Sequence, residues 1–402
     1  MKILIKIILI IQIIFPYVSS DVSGNNGVVV SSKIHASDIG ISIMKNGGNA
    51  IDAAIGVCFA LAVTHPSAGN IGGGGFMVIN FENGSSTAID FREVAPLNSK
   101  ENMFQDEEGN VIDGLSTSSI LSVGVPGTVA GMGYIHEKYA TLPWDQLLYP
   151  AFLLAKYGFE LDQHNHYLFN NLSLIDKLSK DEETRKIFIE NKIYSLNDLI
   201  VQPDLAKTLL RISKHGYKEF YFGQTADNII SCMNRKNGII TYEDLASYEV
   251  QELEPIKFQY RDYNIISMPP SSSGGITLAI ILNQLENLDF SQIMFQDYNH
   301  VHFLSEISKL AYVDRYKHLG DINFVDVPLD YLSSQNYADS LFASINDSLS
   351  ISSSDLLESI KITNNESEET THYSIIDKFG NCVSVTTTLN GWFGSGITVD
   401  DS

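Results

Sequence analysis

The sequence predicts a mixed α/β fold in which buried and amphipathic helices accompany antiparallel β-hairpins. An Ala-rich run from Gly47 to Val63, GGNAIDAAIGVCFALAV, is long enough for about five turns of helix and is almost wholly apolar, as a buried helix is. Two other stretches alternate in a two-residue period around turn sequences, as hairpin strands do. At 402 residues, 44% of them hydrophobic, the chain can bury a large core.

The first predicted hairpin follows Pro66 and Gly69, which end the apolar helix. NIGGGGFMVINF leads from a glycine turn into a strand, FENGSS turns the chain, and TAIDF forms the second strand before FREVAP. The glycine run Gly72 to Gly75 precedes a strand and lacks the Gly-Lys-Ser/Thr of a phosphate-binding loop. It therefore indicates a turn where one backbone passes close to another.

The middle of the chain predicts an array of helices interrupted by a second group of strands. Helices are predicted between about 143 and 186, where PWDQLLYPAFLLAKYGF is the clearest, and at Leu205 to Ile212 and Asp227 to Met233. FQYRDYNIISM is the strand group, and the helices TLAIILNQLENL and YNHVHFLSEISKLAYVDRYKHL follow. Ser and Gly residues before the first of these two are available to cap it.

The C-terminal part begins with a stretch from Ser344 to Glu369 that is rich in Ser, Asn, Asp and Glu, the composition of a flexible linker. After it, THYSII and CVSVTTTL alternate around DKFGN, which predicts a β-hairpin from Thr371 to Leu389.

The N-terminus indicates an exported protein. Residues 1–20 place Lys2 and Lys6 before an apolar run and small serines, the order of a signal peptide cleaved after Ser20, with an uncleaved membrane anchor as the alternative. Four sequons agree with export and are candidate glycosylation sites: Asn83, Asn171, Asn346 and Asn365. The expected location is therefore extracellular or on the outer face of the plasma membrane.

A net charge of -22 without a basic run argues against nucleic-acid binding.

No metal or cofactor is predicted. The pairs His164/His166 and His300/His302 are two residues apart on predicted helices, so their side chains point to different faces. Three cysteines without a C-x-x-C indicate neither a zinc site nor a disulfide framework.

The pair Thr370-Thr371 stands between the linker and the last predicted hairpin. A threonine hydroxyl needs a base to become a nucleophile, and the nearest one is the residue's own α-amine once the preceding peptide bond is cut. The same hydroxyl can make that cut by attacking the preceding carbonyl. The alternative is an ordinary Thr-rich strand.

Arg92 in FREVAP offers a fork of donors to a carboxylate, with a surface ion pair to Glu93 or Asp90 as its alternative.

These segments together resemble the γ-glutamyltranspeptidase (glutathione hydrolase) family. The resemblance runs in the family's order from about Val28 to Gly396, and TTHYS after a linker is its most specific part. The remaining matching segments are ASDIGISIMKNGGNAIDAAIGVCFALAVTHPSAGNIGGGGFMVINF, FREVAP, SVGVPGTVAGM, PWDQLLYPAFLLAKYGF, GIITYEDLASYEV, MPPSSSGGITLAIILNQLE, KLAYVDRYKHLGD and the strand sequence up to TTTLN.

The resemblance implies a four-layer αββα sandwich of the N-terminal-nucleophile hydrolase type. It implies one precursor that cuts itself between Glu369 and Thr370, so that residues 21–369 belong to a large subunit and residues 370–402 begin a small one. Thr370 is then the nucleophile, and Thr388 orients its hydroxyl. Arg92 binds the substrate α-carboxylate and Asn390 the glutamyl group. The implied substrates are glutathione and other γ-glutamyl compounds, with water, amino acids or dipeptides as acceptors and no cofactor.

The chain departs from the family's pattern after FGSGI, where it continues as TVDDS. In the family, an acidic residue for the substrate α-amine, paired serines, the glycines of the oxyanion hole and several strands follow this point. The expectation is that the 402-residue chain is inactive alone and incomplete at its C-terminus. A secreted short form that binds a ligand without turnover is the alternative function. A related acylase that acts on another amide is a third.

Overall fold

The computed structural model describes residues 23–190, 193–357 and 370–402. Its strands are β1 Gly27–Val30, β2 Gly74–Asn80, β3 Ser86–Asp90, β4 Phe159–Glu160, β5 Leu199–Ile200, β6 Gln251–Leu253, β7 Ile256–Tyr260, β8 Tyr263–Ser267, β9 Thr371–Asp377 and β10 Cys382–Thr388. Its helices are α1 Ile34–Lys45, α2 Ala50–Thr64, α3 Thr128–Tyr139, α4 Trp144–Tyr157, α5 Gln163–Phe169, α6 Leu172–Ser179, α7 Glu182–Phe188, α8 Pro203–His215, α9 Glu219–Phe222, α10 Gln224–Lys236, α11 Tyr242–Ala246, α12 Gly274–Leu285, α13 Tyr298–His318, α14 Leu329–Leu332, α15 Gln335–Phe342 and α16 Ser353–Leu357. The mixed α/β class is confirmed.

The largest sheet has six antiparallel strands in the order β1-β9-β10-β2-β3-β6. Both predicted hairpins, β2–β3 and β9–β10, are confirmed and lie side by side at its centre. Its flanking strands β1 and β6 come from distant parts of the sequence, which the alternation within each hairpin does not reveal. β1 pairs with β9 from Val28 opposite Ile376 to Val30 opposite Ser374.

Helix α2 covers one face of this sheet, and all fifteen of its residues are buried. The prediction of a buried helix is confirmed, but the helix begins at Ala50 rather than at Gly47. The Asn49 side chain accepts hydrogen bonds from the backbone of Ile51 and Asp52, and the Asp52 side chain accepts one from the Asn49 backbone. This capping box fixes the start of the helix. The helix and the sheet form two adjacent layers of the predicted sandwich.

The two faces of the six-stranded sheet differ sharply in exposure. The face against α2 carries buried side chains such as Tyr373, Ile375 and Val385. The alternate residues point to the opposite face, which we call the open face; its members His372 and Ser384 are exposed. Among the described residues no second large sheet lies against the open face.

A second, smaller apolar cluster joins α12 and α13 with the β7–β8 hairpin and α14. Helix α12 starts at Gly274, three residues before the predicted start, and its N-cap Ser273 makes no side-chain capping bond. The prediction that a serine caps this helix is therefore wrong for Ser273. Its hydroxyl accepts a hydrogen bond from Arg315 Nε at 2.9 Å instead, which ties α12 to α13.

The described part of the predicted linker, residues 344–357, contains a short helix. Residues Ser353–Leu357 form helix α16, and Glu306 on α13 accepts hydrogen bonds from Ser350 and Ile351. Residues 358–369 of the predicted linker, which include Glu369 of the predicted cut bond, and the predicted signal or anchor at 1–20 lie outside the described residues. None of the helices in the described ranges is long and apolar enough to cross a membrane.

Candidate active site

The central strands bring the predicted catalytic threonines to one edge of the six-stranded sheet. Thr371 on β9 pairs with Thr387 on β10, so the same antiparallel register, extended by one residue, puts Thr370 opposite Thr388. Thr388 in turn pairs with Gly74 on β2. Because side chains alternate along a strand, Thr370 and Thr388 point to the open face while Thr371 and Thr387 point into the core. Directly opposed residues lie about 5 Å apart, within reach of a direct side-chain contact.

Thr370 is exposed, and the Thr388 hydroxyl donates to the Leu389 carbonyl oxygen at 2.8 Å. Thr370 directly precedes β9, so its hydroxyl is accessible to a substrate. The pairing of β9 with β10 fixes the main chain that carries it. The geometry therefore suits a nucleophile at Thr370 with Thr388 as its neighbour. The catalytic roles themselves stay predictions.

The glycine run lies beside these threonines and confirms the predicted close backbone approach. A Cβ on Gly73 would stand 2.4 Å from the Thr388 carbonyl oxygen, and a Cβ on Gly75 would stand 2.3 Å from the Thr386 carbonyl oxygen. On the other side, a Cβ on Gly74 would stand 2.5 Å from the Glu93 main-chain nitrogen and 2.7 Å from the Arg92 Cα. Glycine at these positions lets β10, β2 and the end of β3 pack closely enough to put Arg92 in the row with Thr370 and Thr388.

Arg92 follows β3 and turns its side chain over the open face. Its guanidinium carbon lies 5.5 Å from the centre of the Phe76 ring on β2, a cation–π distance. One guanidinium nitrogen also lies 3.3 Å from Glu93 Oε1, so the ion pair considered as an alternative is present. The side chain is 43% exposed, which leaves the guanidinium accessible to a carboxylate ligand. The main-chain N–H of Arg92 donates to Asp90 Oδ1 at 2.9 Å.

The distance between Arg92 and Thr370 follows from the strand order. Their strands are separated by β10 and β2, which is three strand spacings or about 14 Å between main chains. Since the guanidinium lies over Phe76 on β2, the gap from it to β9 is about two spacings, or about 10 Å. Both side chains extend over the open face from the two ends of that gap.

Asn70 is a buried hub at this edge that sequence reasoning missed. Its Nδ2 donates to the carbonyl oxygens of Ala68 and Thr388, at 3.0 and 3.1 Å, and to Thr387 Oγ1 at 3.2 Å. Its Oδ1 accepts from Gly73 N and Thr128 Oγ1, both at 2.8 Å. One 7% exposed side chain thus joins the glycine turn, the end of β10 and the start of α3. The only sequence signal was an Asn beside the glycine run.

Asn390 is exposed and follows Thr388 by two residues, at the start of a tight turn. Lys177 on α6 holds this turn, because its Nζ donates to the carbonyl oxygens of Trp392 and Gly394 at 2.9 and 2.6 Å. Burial lowers the pKa of Lys177. Phe393 adopts a left-handed φ of 59° and packs on Phe169 and Phe188 in the core. The turn that carries Asn390 is therefore anchored on both sides.

A polar cluster around His372 lines the open face next to Thr370. His372 Nδ1 lies 2.9 Å from Thr386 Oγ1, and its Nε2 lies 3.1 Å from both Ser374 Oγ and Ser384 Oγ. Partial burial lowers the pKa of His372, which favours a neutral ring at neutral pH. The cluster gives the open face a polar surface along β9, the strand that follows the nucleophile candidate Thr370.

The other predicted residues lie away from this edge. Asn83 is exposed in the β2–β3 turn, Asn171 is the N-cap of α6, and Asn346 is exposed beside α13, where its main-chain oxygen contacts His302. Asn365 lies outside the described residues. His164 packs against the His65 ring, at 5.1 Å between centres, and His300 against Phe295. Within the described part of the chain, no group of three or more His, Cys, Asp or Glu side chains is arranged to hold a metal ion.

Comparison with known proteins connects the chain to one family. A sequence profile of the family described as gamma-glutamyltranspeptidase matches residues 36–402. The chain is 44% identical to the glutathione hydrolase proenzyme of Pseudomonas sp. strain A14 and 44% identical to that of Escherichia coli K12, over 94% and 95% of its own length. It spans about two thirds of these relatives, 65% of the first and 66% of the second.

Solved structures give the same result. The gamma-glutamyltranspeptidase of Helicobacter pylori matches with a TM-score of 0.80 and 42% identity, covering 88% of this chain and 100% of that one. The cephalosporin acylase of Bacillus halodurans also matches with a TM-score of 0.80, but at 24% identity it shows a shared fold alone. The predicted α/β sandwich of the N-terminal-nucleophile hydrolase type is thereby confirmed.

Proposed function

The chain belongs to the γ-glutamyltranspeptidase family, and from this premise we propose that Thr370 is the nucleophile of γ-glutamyl transfer from glutathione and related donors. The observation that carries the proposal is the row on the sheet: Thr370 opposite Thr388, then Gly74, then Arg92. It places a hydroxyl and a guanidinium over the same open face with a side-chain-free glycine between them.

The first proposed step converts the single chain into two subunits. The Thr370 hydroxyl attacks the Glu369 carbonyl carbon, the peptide C–N bond breaks, and the acyl group moves from nitrogen to oxygen. Water then hydrolyses the ester, which leaves the Glu369 carboxylate on the large subunit and a free α-amine on Thr370. That amine becomes the base that the hydroxyl requires.

In the second step, Thr370 Oγ1 attacks the γ-carbonyl carbon of the donor. Its proton passes to the α-amine and from there to the leaving amine, which is cysteinylglycine when the donor is glutathione. The γ-glutamyl group is then held as a threonyl ester. Water releases it as glutamate, or the amine of an amino acid or dipeptide takes it as a new γ-glutamyl peptide.

Arg92 sets the donor's orientation in this proposal. A γ-glutamyl group has three carbons between its γ-carbonyl and its α-carboxylate, so it extends along the gap between the Thr370 hydroxyl and the guanidinium. Bidentate pairing of arginine with carboxylate fixes direction as well as affinity. In this proposal Asn390, an exposed residue on the turn beyond Thr388, contacts the glutamyl group from the end of β10.

We expect Arg92→Gln to lower kcat/KM selectively for donors that carry the α-carboxylate. With γ-glutamyl-4-nitroanilide the expected loss is about 30- to 150-fold, equivalent to about 2–3 kcal/mol for a charged hydrogen-bonded pair. With 4-aminobutyryl-4-nitroanilide, which lacks only that carboxylate, the change should stay below about threefold. Both rates are measured by 4-nitroaniline release with the protein expressed from its native gene.

Arg261→Gln is the matched control, since Arg261 is an exposed arginine in the β7–β8 turn and belongs to a different sheet. It should leave both rates unchanged. Equal losses for the two donors in the Arg92 variant would contradict a carboxylate-binding role. Preference of the wild-type protein for the 4-aminobutyryl donor would favour an acylase of another amide. Binding of the γ-glutamyl donor without any 4-nitroaniline release would favour the non-catalytic alternative.

We further propose that residues 1–20 direct the protein into the secretory pathway, to the extracellular side. The charge and apolar order of that segment support cleavage after Ser20, and the sequon at Asn83 lies at an exposed hairpin tip. Edman sequencing should identify Asp21 as the first residue of the native large subunit. Recovery of Met1 with a membrane fraction would instead indicate an uncleaved anchor.

A further inference from the structure

Two family segments with no part in the proposed chemistry, SVGVPGTVAGM and YEDLASYEV, meet behind Arg92. The Tyr248 hydroxyl, from the second segment, donates to the Arg92 carbonyl oxygen at 2.7 Å. The Arg92 N–H already donates to Asp90 Oδ1. The main chain of Arg92 is therefore held on both sides, although it lies in a loop beyond the end of β3.

Tyr248 is itself held in a fixed place. Its ring stacks on that of Tyr221, with ring centres 5.9 Å apart and planes 12° from parallel. The Tyr221 hydroxyl donates to the Pro126 carbonyl oxygen at 2.8 Å and accepts from Ala130 N at 3.2 Å. Burial raises the pKa of Tyr248, so its hydroxyl stays protonated and remains a donor at any working pH.

Gly127 lies between the two tyrosines and the active-site edge. A Cβ there would stand 2.0 Å from the Tyr248 hydroxyl oxygen, so any side chain would displace the hydroxyl from Arg92. The main-chain N–H groups of Gly127 and Thr128 donate to the Gly73 carbonyl oxygen at 2.8 and 3.1 Å. Gly73 packs directly against the Thr388 carbonyl. The same turn thus contacts the strand end beside Thr388 and the residue that holds Arg92.

We propose that Tyr248, supported by Tyr221 and Gly127, is a positioning residue that sets the distance between the Arg92 guanidinium and the Thr370 hydroxyl. We call these three residues the tyrosine clamp. Its role is to determine how well the site accepts the length of a γ-glutamyl group. The inference rests on the proposed carboxylate-binding role of Arg92. The physical basis of the inference is that the Arg92 side chain is 43% exposed, so surrounding side chains restrain it little. The hydrogen bonds of the Arg92 main chain therefore determine the position from which the side chain extends.

Tyr248→Phe tests the clamp because it removes one oxygen and keeps the stacked ring. We expect KM for γ-glutamyl-4-nitroanilide to rise about five- to tenfold while kcat stays within about twofold, since the carboxylate is bound in both the ground state and the transition state. With 4-aminobutyryl-4-nitroanilide both constants should match the wild type. A tyrosine with a purely structural role would change both donors alike, or neither.

Tyr242→Phe is the matched control: Tyr242 is an exposed tyrosine in the same segment, and its hydroxyl bonds Asp227. It should leave both donors unaffected. The double variant Tyr248→Phe/Arg92→Gln should be no worse than Arg92→Gln alone, because the clamp acts only through Arg92.

The outcomes separate the inference from the function on which it rests. Additive losses in the double variant, or an unchanged KM in Tyr248→Phe while Arg92→Gln impairs the γ-glutamyl donor, would overturn the clamp and leave the proposed function standing. An Arg92→Gln variant with wild-type donor selectivity would overturn both the clamp and the carboxylate-binding role of Arg92.

Discussion

Thr370→Ala is expected to abolish both the cut between Glu369 and Thr370 and all γ-glutamyl transfer. Without the hydroxyl there is no oxygen to receive the acyl group in either step. Without the cut there is also no free α-amine to act as the base. In the protein expressed from its native gene, gel electrophoresis should show one uncut chain for the variant. For the wild type it should show two chains, the smaller beginning TTHYS by N-terminal sequencing.

Thr370→Ser and Thr371→Val are the controls for this result. Serine keeps an oxygen nucleophile and should still be cut, at a reduced rate. Thr371 is 3% exposed, points into the core and shares a hydrogen bond of 3.0 Å with Ser32, so its valine variant should be cut at the same bond. A smaller chain that begins THYS, or a Thr370→Ala protein that is still cut, would contradict the assignment of the nucleophile.

The alternative of an ordinary Thr-rich strand is partly correct. Thr371 and Thr387 are buried strand residues on the core face, where threonine serves packing and pairing. Thr370 and Thr388 belong to the other face because of the two-residue alternation. Sequence alone shows the run of threonines, whereas the strand register separates structural from catalytic candidates.

Local patterns were sufficient for elements whose partners are near in sequence. The hairpins β2–β3 and β9–β10 and the buried helix α2 could be predicted because alternation, turn residues and apolar length are local properties. The pairing of β1 with β9 joins segments more than 300 residues apart, and four apolar residues give no register. Such a contact requires the three-dimensional structure.

The same limit explains what was missed at the active site. Thr370, Thr388, Arg92 and Asn390 follow from the family resemblance. Asn70 and Tyr248 act through buried hydrogen bonds to main-chain oxygens, which carry no side-chain signature in the sequence. The family resemblance therefore predicts which residues carry the chemistry, whereas the buried residues that hold them in place are found only in the structure.

Asn70→Ala is expected to have the largest effect on stability and to remove activity as well. The change removes polar contacts to five partners and leaves Gly73 N and Thr128 Oγ1 buried without this acceptor. Unsatisfied buried groups cost about 1–3 kcal/mol each, so the free energy of unfolding should fall by about 3–5 kcal/mol. Urea unfolding followed by tryptophan fluorescence measures the change.

Asn70→Asp separates the stability effect from the effect on Thr388. The carboxylate keeps an acceptor for Gly73 N and Thr128 Oγ1 but cannot donate to the Thr388 carbonyl, so the end of β10 is released beside the nucleophile. We expect cutting at Thr370 to slow at least tenfold in this variant under conditions where circular dichroism shows it fully folded. Asn110→Ala, at an exposed asparagine that bonds Asp106, should change unfolding by less than about 0.5 kcal/mol and leave cutting unchanged. A folded Asn70→Asp protein that is cut at the wild-type rate would show that the hub stabilises the fold without positioning the nucleophile's neighbour.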